Sequence, residues 1–542
     1  MSASCHLTIA ELRPWGLQRL WSAEAGIFLG LWLALLCFGR TELFRDPGTF
    51  WHTATGQRML DRGQIVRSDP YSFAFPGQSW VEYEWLADCG MAWIYRAAGW
   101  DGLLLTTATV LAAVYAGLAG RLLRAGLHVL PTMLVVGLAL AASSQNFHVR
   151  PSIITIALQG WLFARLVDVE AGRRPIRSLA WLVPLFVLWQ NCHGGVLAGF
   201  GTLGLVFLGW SLNFLLRGRA TITLLSPRGR GAGGEGARFA PTLNCPIRCW
   251  RDVAVLATIL AASLAGLLLN PYGLDMPRSW AKILSLPLGQ LIQEHAPLDL
   301  RQPFGLLAAV LGLGYLAALA SVWPRRPRIT WLMPLVWFVL AAQRVRNAPL
   351  AAIVTVIALA DLLPYSRWTR WLSTHDLFKG PTSRVSDSAS PGLFGRVALP
   401  AMAVLVAVAI LFSDPGWVQL DSARWPVALL PELRAIEDQA GPQGRRIFND
   451  MLFGGFLIFH TPRLPIFIDD RCEQYGRDFL LAYDRCRRQD PRQLEAWRRQ
   501  YHFDLALVES GSPLDRYLDG NGRWTLVRRS GPAALWRVTS GE

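Results

Sequence analysis

With 52% of its 542 residues hydrophobic and only 17% charged, the chain is too apolar for an ordinary soluble protein, which carries about a quarter charged residues. The formal charge of +15 would suit a nucleic-acid partner, but the arginines sit between apolar runs, the positive-inside bias of a many-pass membrane protein. The eight cysteines give no metal framework: Cys245 and Cys249 form an isolated C-x3-C, and Cys472 and Cys486 could bridge only if the last segment is exported.

The apolar content lies in blocks long enough to cross a hydrocarbon core, which takes roughly 20 residues of helix. The first runs near Trp21–Phe38 and reads as a retained first span, since no A-x-A cleavage site follows it. Further blocks occupy Gly102–Leu123, Val129–Ser144, Ile153–Val167, Leu179–Trp189, Val196–Leu216, Val253–Leu269, Phe304–Val322, Ile329–Ala342, Ala348–Leu363 and Val397–Phe412. Together they predict about eleven spans. Residues 1–20 form a short N-terminal tail, 21–412 a transmembrane domain with a first outer loop over 40–100, and 413–542 an exported domain.

Orientation follows from the arginines of the short loops. Arg121 and Arg124, then Arg173, Arg174 and Arg177, mark two inner loops. A third carries Arg217 to Arg251 around the Gly/Arg-rich stretch SPRGRGAGGEGARFAP, which reads as disordered. Arg325, Arg326 and Arg328 mark a fourth, and Arg367–Arg396 a fifth. These loops alternate correctly with an N-terminus inside. Segment Arg40–Trp100, the turns Gln145–Pro151, Gln190–Gly194 and Gln343–Asn347, the loop Asn270–Gln302 and the C-terminal region then all fall outside.

That sorting brings the chemically interesting residues to one face. The turns carry His148, Arg150, Asn191, His193, Arg344, Arg346 and Asn347, and the long outer loops add Asp46, His52, Asp69, Glu82, Glu84, Glu294 and His295. Polar groups at helix ends in a bundle are costly unless they pair or line a cavity, so an outward-facing, water-filled site is expected.

In the first outer loop, Gly48–Leu60 reads as an amphipathic helix at the interface with Phe50, Trp51 and Met59 toward lipid or bundle, and SDPYS as a turn. Trp80–Trp93 reads as a second interfacial helix carrying Glu82 and Glu84, which at i,i+2 cannot share a helix face, so one of them is expected in solvent. In the C-terminal region RIFN, LPIFID and FDLALVE have extended character, Asp478–Tyr501 is helical, and WTLVRRSGPAALWRV forms a hairpin around Ser530–Gly531. A small α/β domain with a partly parallel sheet follows. No G-x-G-x-x-G or Walker sequence points to nucleotide binding.

The pattern D-x4-WHxxTG (Asp46–Gly56), DPYSF (Asp69–Phe73) and W-x3-EWL (Trp80–Leu86) resembles the GT-C superfamily of multi-pass glycosyltransferases, which includes protein O-mannosyltransferases and aminoarabinose transferases. It is more closely similar to a set of bacterial membrane proteins of this type. The pieces NPYG (Asn270–Gly273), RVRN (Arg344–Asn347) and FND…GGF…FIDDR (Phe448–Arg471) resemble the same set. The resemblance implies a GT-C-like bundle in a bacterial cytoplasmic membrane, transfer of a hexosyl or pentosyl group from a polyprenyl-phosphate donor, and a glycan, lipid or protein acceptor. Membrane lipids are the remaining partners, with no nucleic acid. A lipid-linked glycan transporter or flippase, or a glycan ligase, shares this architecture.

By the same resemblance Asp46, just after the first span, stands where GT-C enzymes carry their acidic residue and is the expected base. Arginine forks suit phosphate, so Arg344, Arg346 and Arg150 are the expected leaving-group clamp, with His52, Asp69, Glu84, His148 and His193 as further binding residues. Plainer readings stand beside these. Asp46–Pro47 is also what an N-cap followed by proline looks like, and Asp69–Pro70 is ordinary turn chemistry. His52, His148 and His193 could be interfacial or water-exposed polar residues, and Arg344 and Arg346 could meet lipid headgroups. No cofactor is expected. The chain departs from the family in lacking a DxD-like carboxylate pair, so a divalent metal is possible but not indicated.

Overall fold

Each apolar block becomes a helix, because a continuous run of apolar side chains can hide its backbone polar groups from lipid only by hydrogen-bonding them internally. The computed structural model describes residues 23–224, 245–286, 289, 293–379, 393–441 and 444–539. The N-terminal tail 1–20, the Gly/Arg-rich stretch 226–241 and part of the fifth arginine loop (380–392) lie outside the described residues. The helices are α1 (Ala23–Glu42), α2 (Gly48–Arg62), α3 (Trp85–Arg124), α4 (Val129–Ser143), α5 (Ser152–Glu170), α6 (Leu182–Cys192), α7 (Val196–Leu224), α8 (Trp250–Gly266), α9 (Asp275–Ser285), α10 (Pro303–Ala320), α11 (Ile329–Gln343) and α12 (Ala348–Leu362). Leu393–Leu411 is the last apolar helix before the C-terminal domain. Among the described residues seven helical segments are long and apolar enough to cross a membrane. The blocks at α6, α8 and α11 are helical but shorter.

Helix α12 is apolar on every side and is the hub, buried against α3, α4, α5, α10 and α11. At one end of the bundle arginine forks tie the helix termini together. Arg121 pairs with Asp168 at 2.6 Å, and Arg173 and Arg328 both pair with Asp361. At the other end lie α2, the start of α3 and the C-terminal domain.

The expected second interfacial helix starts at Trp85, not Trp80, and runs into the following span through a break in helical geometry at Ala98 and Gly99. Glu82 and Glu84 therefore precede the helix. In that non-helical stretch the i,i+2 argument does not apply, and both side chains are buried rather than one reaching solvent.

Helix α2 does not lay its apolar face on lipid. Phe50 is fully buried in an aromatic cage of Trp100, Trp425 and Phe456, with ring centroids 4.9–5.6 Å away. Two glycines permit this docking. A Cβ on Gly56 would stand 1.9 Å from the Asp88 carbonyl oxygen of α3, and one on Gly455 would stand 2.2 Å from the Pro47 carbonyl oxygen. These contacts explain the glycines of WHxxTG and GGF better than any loop role would.

The C-terminal domain has a four-stranded sheet in the order β1 (Ile447–Asn449), β2 (Leu505–Glu509), β4 (Ala533–Val538), β3 (Trp524–Ser530). β1 runs parallel to β2 and the other pairs are antiparallel, as a partly parallel sheet with a closing hairpin requires. LPIFID is not a full strand. Ile466 makes single bridges to Ile447 and to Ser72 of the first loop, so the loop caps the sheet edge and leaves no longer ladder to form. GGFLIF lies in a helix, Met451–His460, and the helical stretch 478–501 is two helices broken around Pro491. Cys472 and Cys486 are both buried and unbridged.

The loop and the domain are further joined by Arg471, which is 1% exposed. Its guanidinium pairs with Asp69 at 3.0 Å and Asp469 at 2.5 Å, and lies 4.4 Å from the Trp80 ring centroid.

Substituting Gly56 by alanine drives a methyl into rigid backbone. It is expected to lower stability by at least about 1–3 kcal/mol. Gly117→Ala, on α3 with open space around it, should be neutral or slightly stabilising. Thermal melts of the two purified variants in detergent check this, and equal melting temperatures would refute the close-approach argument.

Candidate functional site

The turns at the α2 end surround a cavity of about 950 Å³ between the bundle and the C-terminal domain. Its walls draw on the end of α1, the start of α2, the segment before α3, the turns 144–152 and 346, His193, Glu294 and His295, and residues 451–487 of the domain. The outer-loop segments sorted by arginine counting thus meet at one end of the bundle. Part of the rim is apolar: Leu35, Phe38 and Phe304 line it, and Phe38 is 77% exposed on the flank of α1.

Asp46 is buried and uses both oxygens. Oδ1 accepts from the Gly48 amide at 2.8 Å, at the start of α2, and Oδ2 accepts from Arg150 Nη1 at 2.7 Å. The capping reading and the site reading hold at once. Arg150 donates through its other nitrogen to Glu294 Oε2 at 2.6 Å. Burial pushes the Glu294 carboxyl up, but the Arg150 and Arg346 guanidiniums win and hold it at about 2. Burial likewise works against charge on Arg150, and its two carboxylate partners overcome that and raise it. Arg150 is thus a cross-link between two carboxylates in this structure, not a free phosphate clamp.

His148 Nε2 lies 3.8 Å from Glu294 Oε1, and burial lowers its pKa. Asp46, His148 and Glu294 each offer an atom within 4.8 Å of the others, a spacing a cation could use. Arg150, whose fork meets both carboxylates, answers one of the two negative charges that such an ion would balance.

Glu84 stands between two histidines, with Oε2 3.1 Å from His52 Nε2 and Oε1 3.3 Å from His193 Nε2. His193 Nδ1 accepts from the Gly195 amide at 2.9 Å, so its proton sits on Nε2 and points at Glu84. Thr155 Oγ1, 2.7 Å from the same Nδ1, itself accepts from Trp189 Nε1. Burial, then the neighbouring Glu82, pushes the Glu84 carboxyl well up, while burial, then Arg150, holds His52 well down.

The two arginines of the RVRN turn separate. Arg346 lines the cavity and donates to His295 Nε2 at 2.5 Å, and burial, then Arg346, holds His295 down at about 3. Among the described residues no carboxylate pairs with Arg346. Arg344 is half-buried outside the cavity lining. Asp69 also lies off the cavity, accepting from the Tyr71 and Ser72 amides and pairing with Arg471, which is turn chemistry reinforced by an ion pair.

Sequence reasoning missed Arg424, Asp470, Glu473 and Arg487, which the C-terminal segment adds to the cavity. Arg424 has no carboxylate partner among the described residues, and Asp470 Oδ1 is buried without a hydrogen-bond partner. The FIDDR motif was the available signal, with its first Asp and its Arg turned inward and its second Asp facing the cavity.

The arrangement of helices, first loop and domain is GT-C-like, similar in fold to a solved oligosaccharyltransferase and to ArnT. Two solved structures align over nearly the whole chain. One is the Archaeoglobus fulgidus oligosaccharyltransferase in the apo form (TM-score 0.53, 12% identity, 91% of this chain and 70% of that chain). The other is ArnT from Cupriavidus metallidurans in the apo state (TM-score 0.50, 13% identity, 94% of this chain and 97% of that chain). The archaeal enzyme tethered to an acceptor peptide containing the NVT sequon matches equally, at TM-score 0.53 and 12% identity. No protein-family model matches the chain, and no curated protein matches it.

The Arg150 cross-link gives a signed prediction. Glu294, held at about 2 against a model-peptide value of 4.5, contributes stability above pH ~4.5 that is lost as pH falls toward 2. Arg150→Ala leaves Asp46 and Glu294 buried without a cation, at a cost of about 3–5 kcal/mol near neutral pH. Burial then pushes the Glu294 carboxyl up, so the deficit should shrink on acidification to pH ~5 as it takes up a proton. Melting curves of wild type and variant across pH 5–8 test it. A deficit independent of pH would show that the pair carries no charge energy.

Proposed function

We propose that the chain is an integral membrane glycosyltransferase that takes a sugar from a polyprenyl-phosphate donor and passes it to an acceptor in this cavity. The observation that carries the reading is a cavity with two contrasting sides. Its rim at Leu35, Phe38 and Phe304 is apolar, while Asp46, Arg346 and Arg424 face its interior. A lipid phosphate needs that combination, since its tail stays in the membrane while its headgroup meets guanidinium.

In this reading the acceptor's hydroxyl oxygen attacks the anomeric carbon. The bond from that carbon to the phosphate oxygen breaks, and the electron pair leaves with the lipid phosphate. Arg346 and Arg424, which have no carboxylate partner, stabilise the departing anion, and Asp46 accepts the acceptor's proton. Arg150 is available to the phosphate only by releasing Asp46, which would free that carboxylate oxygen for the acceptor as the donor enters. Glu84, His52 and His193 form the opposite wall and hydrogen-bond the sugar or acceptor. The transferred group is hexosyl or pentosyl, and the acceptor a glycan, lipid or protein.

Among the described residues, the loop arginines Arg121, Arg173 and Arg328 lie at the bundle end opposite the cavity, which supports an inside N-terminus and a site on the outer face of a bacterial cytoplasmic membrane.

Purified protein in liposomes with a panel of polyprenyl-phosphate sugars, assayed for release of polyprenyl phosphate, tests the proposal. Asp46→Asn should lower kcat at least about 100-fold. Arg346→Ala should cost about 100-fold, and Arg344→Ala, outside the cavity, about twofold or less. Unimpaired transfer by Asp46→Asn would remove Asp46 as the base. Movement of lipid-linked glycan without chemical turnover would mark a transporter instead.

A further inference from the structure

Behind the cavity wall lies a second polar cluster, built on His52 and on two carboxylates that the transfer reading does not use. His52 of α2, Glu82 of the segment before α3 and Asp88 in the first turn of α3 are 4%, 1% and 0% exposed. One ligand-type atom from each lies within 4.8 Å of the other two. Glu82 Oε1 accepts from the Glu84 amide at 3.0 Å, but its Oε2 is buried with no hydrogen-bond partner. Asp88 Oδ1 lies 2.7 Å from His52 Nδ1, and its Oδ2 is again buried with no partner. Among the described residues no lysine or arginine is within ion-pair distance of either carboxylate, and the one basic side chain that meets them is His52, against Asp88. Two orphan carboxylate oxygens in one dry space are costly unless a positive charge or protons answer them.

The histidine's other contact narrows the choice. Its Nε2 faces Glu84 Oε2 at 3.1 Å, and in the tautomer that donates Nε2–H to Glu84 the Nδ1 lone pair is aimed at Asp88. A lone pair and an anionic oxygen 2.7 Å apart repel unless something positive lies beside both. An outer carboxylate, a histidine and inner oxygen donors in that order is how proteins orient a metal-binding imidazole.

We infer that His52 Nδ1, Glu82 and Asp88 bind one divalent transition-metal ion, with Glu84 as the outer partner that orients His52. Two carboxylates and a neutral imidazole balance a dication without residual charge. The imidazole favours Zn²⁺ or Mn²⁺ over Mg²⁺ or Ca²⁺. Glu82 and Asp88 do not line the cavity, whereas Glu84 and His52 do. The ion is therefore a structural one, joining α2 to the start of α3 and setting the Glu84 carboxylate in the wall. The close approach of Gly56 to the Asp88 carbonyl, one helical turn beyond His52, is what brings the two helices near enough to share it.

The test uses the full-length protein in detergent, stripped with a chelator and titrated with Zn²⁺ and separately with Mn²⁺, reading bound metal by mass spectrometry and melting temperature in parallel. Wild type and Asp46→Asn are expected to take up one equivalent and melt higher with it. Asp88→Asn and Glu82→Gln should bind none at the same free-ion concentration, and Glu84→Gln should bind about 10–100-fold more weakly. Should Asp88→Asn not fold, the nearly isosteric Glu82→Gln and Glu84→Gln decide the matter. No uptake of either ion by wild type overturns the assignment. So does uptake abolished by Asp46→Asn but kept by Glu82→Gln, which would place the ion at the Asp46–His148–Glu294 group.

Discussion

Arg150 ties together two carboxylates that lie 104 and 144 residues away in the chain, and the cavity takes its form from that cross-link. Removing a carboxylate from water costs several kcal/mol, so Asp46 and Glu294 can stand in a part-buried wall only if a cation is fixed between them. A guanidinium does this with two parallel arms where a lysine would offer a single point. The same device recurs. Arg471 holds Asp69 to Asp469 and so joins the first loop to the C-terminal domain, and Asp361 gathers Arg173 and Arg328 at the far end of the bundle. In each case an arginine–carboxylate junction connects segments that no local preference would bring together.

Those junctions mark where sequence reading stopped. Hydropathy over a span is a local property, so each apolar block could be placed as a helix, and counting arginines in the short loops sufficed to sort the turns that share the cavity. Partnership is not local. Nothing in the neighbourhood of Asp69 reveals that Arg471, four hundred residues on, will turn it into a structural pair. Arg344 and Arg346 look alike in the sequence and differ only because the short turn at 345–347 sends one of them to the cavity. Glu82 and Glu84 were misjudged because a helix was assumed five residues too early, and an error of that size reverses which side chains share a face. LPIFID has the composition of a strand, but its hydrogen bonds go to the first loop as well as to β1. Asp88, within a helical stretch beside a cysteine and a glycine, carried no motif at all. Its place became evident only through Gly56, whose missing side chain lets α2 meet α3 at that residue.

The pairing state of each arginine also divides the cavity into what builds it and what remains for a ligand. Arg45 is spent on Glu42 and Asp421, and Arg150 on Asp46 and Glu294. Arg346 and Arg424 face the same space without a carboxylate, one donating to a histidine and the other to a backbone carbonyl. Burial opposes the charge on both guanidiniums more than the carboxylates further off support it, and both are lowered. An anion that binds between them therefore gains twice, by its own pairing and by relieving two cations of their desolvation. A neutral sugar would gain neither. The electrostatics of the cavity thus favour an anionic group over a neutral one, which is the preference that the proposed transfer from a lipid phosphate requires.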